Sequence, residues 1–285
     1  MDRLRLVCDS TADLDRAYAA ELGLTVVPLR VIFGEDELLD GVEISTAEFY
    51  QRMRVDPHHP HTSQPTPAEF EAVFRRLGEE AETIICTTIS AGLSGTYSSA
   101  MQAREALPDL DIRVVDTESV GPCHTAAVRV AVTLRDRGAS ADQVLAALER
   151  LRRTQKLVFT LETLEYLRRG GRIGGARALL GSILNIKPIL TLVDGKVEAM
   201  DRVRTYPRAL ERLVEEVRSA TERWGKTTVF AAHAASPEQA EAVAERVARI
   251  TGEKPGIVEV GAVLGCHAGP GAFGIGFHPA SVLEG

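Results

Sequence analysis

Hydroxyl groups crowd one short stretch of this 285-residue chain, Thr83 to Ala100, TIICTTISAGLSGTYSSA. Thr87, Thr88, Ser90, Ser94 and Thr96 gather around Gly92 and Gly95, between an apolar β-branched run and a segment with helical spacing. Such a run reads as a buried strand of a parallel sheet. Strand, glycine turn and helix in that order put the hydroxyls at the carboxyl end of a strand, where open α/β sheets bind ligands. The helix opening after the turn offers free amides and the positive end of its dipole, which suits an anion. The glycines let a ligand approach the backbone. An ordinary turn with a capping serine gives the same pattern. A nucleophile elbow, G-x-S-x-G, is not met: in Gly92-Leu93-Ser94-Gly95-Thr96 the second glycine comes one place early.

A second group lies far downstream. Gly265 to Phe277 reads GCHAGPGAFGIGF and carries His267. Gly269, Gly271 and Gly274 spell G-x-G-x-x-G, but a dinucleotide site needs a helix opening within the motif and an acidic strand about twenty residues on. Eleven residues follow Gly274. The stretch is expected to be a glycine loop with His267 exposed to chemistry or bonded to nearby backbone. Three arginines stand out. Arg172 follows Gly170-Gly171, which leaves the backbone free to turn that side chain outward. Arg202 and Arg204 alternate with Val203 on a strand and so share one face. His58, His59 and His61 crowd a proline-rich loop without carboxylates or helical spacing, a surface pattern rather than a metal site. Thr62-Ser63-Gln64-Pro65 follows and could lend a hydroxyl or simply turn. Asp9, at the end of the first strand, could anchor a polar network beneath the site or cap a turn.

The elements that position these groups alternate. Strands are expected at Arg3–Cys8, Leu24–Phe33, Thr83–Ile89 and Asp111–Asp116, with a loop from Asp56 to Pro67 and another from Thr117 to Thr125. Capping boxes open helices at Ser45-Thr46-Ala47-Glu48, Thr66-Pro67-Ala68-Glu69 and Ser140-Ala141-Asp142-Gln143. A further helix spans Asp13 to Leu22. Residues 1–155 therefore read as a doubly wound parallel α/β domain. Residues 156–285 differ. Strands are expected at Lys156–Thr160, Pro188–Val193, Lys196–Arg204, Thr227–Ala232, Gly256–Val263 and Phe273–Phe277, with Asp194-Gly195 as a hairpin turn. Helices are expected at Glu162–Arg168, Gly174–Asn185 and Leu210–Arg223, with another capped by Ser236. The expectation is a second α/β domain, a mixed sheet with helices on one face.

Composition narrows the function. A net charge of -7 with no basic run argues against nucleic acid. The longest apolar runs, such as Ile183 to Val193, hold Lys187 and Pro188 and are too short to span a membrane. The start of the chain leads straight into a strand without a signal-peptide pattern. Four scattered cysteines without C-x-x-C suit reduced thiols in the cytoplasm and argue against zinc. Neither a Walker A loop nor any other cofactor motif is visible.

Six motifs, in order and nearly end to end, match one family. They are Asp9-Ser10-Thr11, Thr62-Ser63-Gln64-Pro65, Ser90 to Ala100, Leu164 to Ile173 (LEYLRRGGRI), Ile186 to Leu190 (IKPIL) and Gly265 to Phe277. On these the chain resembles the DegV family of bacterial fatty-acid-binding proteins. The resemblance implies a two-domain protein that holds one long-chain fatty acid between its domains. It also implies presentation of the carboxylate to a separate ATP-dependent kinase, which makes an acyl phosphate for phospholipid synthesis; the binding protein itself is no enzyme and acts as a monomer. Carried over, the carboxylate ligands fall on Thr62, Ser94 and His267, supported by Ser63, Gly95, Thr96, Gly265, Gly269 and Gly271. Arg172, with Arg202 or Arg204, is expected at the kinase-facing mouth. Two places depart from the family pattern: the run from Asp116 to His124, where a serine- and glycine-rich stretch is usual, and Cys266, where threonine is usual. From another class, Ser94 and His267 could form an acyl-ester hydrolase, which would need an acidic partner for the histidine, with Asp9 the candidate in space.

Overall fold

The computed structural model describes residues 4–181 and 186–284. The first sheet is parallel throughout, in the order β2-β1-β6-β7. Its strands are β1 (Leu4–Asp9), β2 (Leu24–Val27), β6 (Thr83–Thr88) and β7 (Asp111–Asp116). Alternate residues serve opposite faces. Val7, Ile84 and Cys86 pack on Phe70, Phe74 and Ala100, from α3 (Pro67–Gly78) and α4 (Thr96–Glu105). Leu6, Cys8 and Ile85 pack on α5 (Pro122–Asp136) and α6 (Ala141–Thr154), with the short α1 (Arg16–Glu21) beside them. Helices on both faces explain why β6 is buried at every position.

The second sheet has the order β10-β9-β8-β13-β11-β12. It contains β8 (Lys156–Thr160), β9 (Lys187–Val193), β10 (Lys196–Val203), β11 (Thr227–His233), β12 (Gly256–Glu259) and β13 (Phe273–Pro279). All its pairings are antiparallel except β11 with β12. Helices α8 (Tyr206–Trp224) and α9 (Pro237–Thr251) cover one face, packing on Val158, Ile189, Ile275 and Phe277. Leu157, Phe159 and Leu161 point the other way, toward a cavity. Asp194 and Gly195 both have positive φ, 48° and 71°, so the β9–β10 turn is type I′. Its tip docks on the hydroxyl-rich stretch: the Ser90 hydroxyl donates to the Gly195 carbonyl at 2.7 Å. A Cβ at Gly195 would lie 2.2 Å from Ser90 Oγ, so a side chain is excluded there.

A third sheet was not expected. The segment read as one strand, Leu24–Phe33, divides at Pro28, which has no amide to donate. Its second half, β3 (Arg30–Phe33), leaves the parallel sheet and pairs with β4 (Asp36–Leu39) and β5 (His61–Ser63). β5 replaces part of the expected Asp56–Pro67 loop. With α2 (Thr46–Val55), this small sheet joins one apolar cluster with residues from the second half: Val31, Phe33 and Phe49 with Leu161, Val260 and Cys266.

Other corrections are local. The expected strand Gly256–Val263 stops at Glu259, and α10 (Ala262–Ala268) follows, so His267 rides on a helix rather than in an open loop. Asp13 accepts the amide of Gly261 at 3.0 Å, which fixes the start of that helix. The loop expected over Thr117–Thr125 ends early, because α5 begins at Pro122, a residue suited to a first helical turn. The first helix begins at Arg16, capped by Asp15 rather than starting at Asp13. Ser236 caps nothing; its hydroxyl donates to Ala234. The expected helix Gly174–Asn185 is a 3₁₀ turn over Gly174–Leu179, and residues 182–185 lie outside the described residues. Arg204 lies just past the end of β10.

Candidate functional site

Three separate elements bring Thr62, Ser94 and His267 to one cavity. Thr62 is fixed by register, opposite Val31 in the small sheet. Ser94 sits in the turn between β6 and α4, where its Oγ accepts the Thr96 amide at 3.3 Å and lies 2.8 Å from Thr96 Oγ1. His267 is in the last turn of α10, with Nε2 2.9 Å from Thr62 Oγ1 across 205 residues of sequence. Its Nδ1 is buried and has no hydrogen-bond partner. Burial, then Arg172, then His59 lower the imidazole to about 4, so it is neutral at pH 7.

Apart from Arg172, the rest of the cavity wall is largely apolar. Ile89, Leu93, Leu157, Phe159, Leu192 and Val263 are among its walls. A few polar groups in a largely apolar cavity suit an amphipathic ligand with a single hydrogen-bonding head. The second half of the departing stretch forms part of the wall, through Val120, Gly121 and Pro122.

The backbone under the site is held by a polar network that sequence reading only half foresaw. Asp9 is fully buried and accepts from Thr11 N, Thr11 Oγ1 and Ile89 N at 2.9, 2.6 and 2.6 Å. Because Thr11 gives its proton to Asp9, it accepts from His124 Nδ1 at 3.1 Å, leaving Nε2 for the Thr87 hydroxyl at 3.3 Å. Asp116 takes the amide of Ala91, and Ser119 that of Ser90. The turn carrying Ser94 is thereby tied down from three sides. His124, expected in a loop, lies in the first turn of α5 and completes the chain; a histidine two residues after Pro122, at the head of the run Thr125-Ala126-Ala127-Val128, is the signal that could have found it.

Gly170 has a role beyond ending a helix. A Cβ there would lie 2.1 Å from His267 Nδ1, so Gly170 makes room for the imidazole against α7 (Glu165–Arg169). Arg172 is not turned outward. It is partly buried, donates to the carbonyls of Leu93 and Gly170 at 3.1 and 2.6 Å, and borders the same cavity. Arg202 and Arg204 are exposed and are not among the cavity walls. The residues expected as support stand behind the walls. Ser63 pairs with Arg30. Gly95 packs on Gln64, Gly265 on Phe49 and Tyr50. Gly269 and Gly271 turn the chain at φ of 74° and 79° against Tyr166 and Glu162.

The hydrolase arrangement is not assembled. Ser94 meets Thr96, His267 meets Thr62, and Asp9 serves His124. Among the described residues no group of three or more His, Cys, Asp or Glu side chains could hold a metal, and no helix is long and apolar enough to cross a membrane. All four cysteines are free and buried.

Known proteins share this design. A DegV domain-containing protein of Deinococcus radiodurans is 39% identical over 279 residues, 98% of this chain and 99% of the relative. A solved DegV family protein of Thermus thermophilus, described by its fatty-acid binding, superposes with a TM-score of 0.90 at 37% identity, covering 97% of this chain and 99% of that one. A stearic-acid-binding protein of Eubacterium ventriosum also gives 0.90, at 28% identity, covering 97% and 98%. The family model described as "Uncharacterised protein, DegV family" matches residues 3–280. With the fold, the cavity and the motifs in agreement over nearly its whole length, the chain belongs to the DegV family.

Proposed function

We propose that this protein holds one long-chain fatty acid in the cavity between its two α/β units, residues 1–155 and 156–285, and presents the carboxylate to a separate ATP-dependent kinase that forms the acyl phosphate. The observation that carries the reading is the Thr62–His267 pair, which with Ser94 lines a largely apolar cavity. A buried carboxylate is costly unless hydrogen-bonded, and two hydroxyls and an imidazole are suitable partners. The tail supplies the drive, at about 0.8 kcal/mol for each buried methylene before ordering costs are subtracted. Thr62, Ser94 and His267 bind the head group; Arg172, in the same wall, meets the phosphoryl group there, and Arg202 and Arg204, outside, face the kinase. A guanidinium matches a phosphate bidentately and keeps its charge throughout the working range. The protein acts in the cytoplasm as a monomer, without catalytic activity of its own.

Native mass spectrometry of the purified protein tests the reading. The expected result is an added mass of one long-chain fatty acid, with acyl phosphate formed when a cognate kinase and ATP are supplied and no ATP turnover without it. A protein that neither retains nor takes up a fatty acid would overturn the assignment.

A further inference from the structure

Among the described residues, two imidazole nitrogens are buried without a hydrogen-bond partner: Nδ1 of His267 and Nε2 of His59. Both rings border the same short helix, α7. His59 lies 5.6 Å from the Tyr166 ring, centroid to centroid. His267 Nδ1 occupies the space that a Cβ on Gly170 would fill, a point only 3.2 Å from the Tyr166 carbonyl. His59 is only partly buried and sits among exposed His58 and His61, whereas His267 faces the cavity. The two rings thus flank one helix, His267 at the cavity and His59 partly exposed, each with one ring nitrogen unused.

We infer that His59 is the exit for the proton a fatty acid gives up as it binds, a reading that rests on the function proposed above. An undissociated acid enters an apolar cavity more readily than a carboxylate, whose burial is costly until its partners are in place. Binding as a carboxylate then leaves one proton to be removed. The relay balances at every step. The acid O–H bond breaks, its electron pair stays on the carboxylate, and the proton bonds to Thr62 Oγ1. Thr62 passes its own proton to His267 Nε2. His267 releases the Nδ1 proton to His59 Nε2, directly or through one water, and His59 releases its Nδ1 proton to solvent. The end state is the one the bound carboxylate needs: Thr62 donates to it, and His267 Nε2–H donates to Thr62. The charged and titratable neighbours are Arg169, Glu165 and His61 around His59, and Arg172 beside His267. The arginines disfavour a lasting imidazolium at either ring, as a relay requires.

The test mixes lipid-free protein with oleic acid carried in phosphatidylcholine vesicles, in weak buffer with a pH-indicator dye at about pH 6. The parent is expected to release a proton in step with loading. His59→Ala should reach the same occupancy by native mass spectrometry but release the proton about 10-fold more slowly or worse, and added imidazole should restore the rate. Release at the parental rate overturns the relay. So does a slow variant that imidazole does not rescue, or a folded variant that no longer holds lipid. A measurement on the parent stands apart from any folding defect: ¹⁵N spectra should show His267 protonated at Nδ1 without lipid and at Nε2 with it, and an unchanged tautomer overturns the relay. A parent that takes up no oleic acid rejects the functional reading itself, before any proton is counted.

Discussion

Two histidines, the buried His124 and the half-buried His267, each meet a threonine hydroxyl, yet they do opposite things. His124 is wholly buried, and both ring nitrogens are engaged, one by Thr11 and one by Thr87. Its network ends on Asp9 and locks the Ile89 amide. His267 has one nitrogen on Thr62, the other unpartnered, and a cavity in front of it. A closed network rigidifies; an open one keeps capacity for a ligand. The contrast separates the scaffold from the site more sharply than residue type does, since Asp and His, the pair most suggestive of catalysis, fall on the scaffold side.

The contrast can be broken by mutation. His124→Ala should cause the largest loss, about 2–4 kcal/mol of unfolding free energy, because it leaves a cavity and strands the Thr87 and Thr11 hydroxyls. Chemical denaturation measures it; a variant as stable as the parent would remove the distinction. Acid should sharpen it next. His267 is held near 4, below the ordinary imidazole value of about 6.5, so below that value the unfolded chain binds a proton that the folded, lipid-free protein refuses. Its contribution to stability is therefore present above pH 6.5 and is lost as pH falls toward 4, on the order of 3 kcal/mol at most. His267→Gln should flatten that part of the pH–stability curve, and bound fatty acid should do the same by placing an anion beside the ring. The smallest effect belongs to the hydroxyls. Ser94→Ala and Thr62→Ala should keep the fold and weaken fatty-acid retention by about 1.5–3 kcal/mol, the worth of a hydrogen bond to a charged group. Equal lipid retention in the variants and the parent, at matched stability, would remove those residues from the site.

What was legible in the sequence follows from the range of the forces involved. The three capping boxes at Ser45, Thr66 and Ser140 form as written, because side chain and amide lie three residues apart. The Asp194-Gly195 turn is equally local. β5 escaped notice because His61-Thr62-Ser63 has no apolar alternation; its pairing with β3 is decided by a partner thirty residues away. α10 was missed for a related reason: Gly265 weakens a helix on its own but is needed where Phe49 and Tyr50 press against it. The site residues Thr62, Ser94 and His267 came from the family resemblance. Local chemistry alone had marked Ser94 and His267 as candidates and left Thr62 between turn and ligand. The inward Arg172 and the space at Gly170 depend on contacts between distant segments, which spacing does not reveal.

The 205 residues that separate Thr62 from His267 have a consequence during synthesis. At about 5–20 residues per second, roughly 10–40 s pass between the emergence of the threonine and that of the histidine. Through that interval the Ser94 turn and the small sheet exist without the partners that cover them, and Val31, Phe33 and Phe49 wait for Val260 and Cys266. The growing chain therefore carries one side of the cavity with its apolar residues uncovered. Its exposure to proteases and to self-association is concentrated in that window, and the cavity closes only when nearly the whole chain has been made.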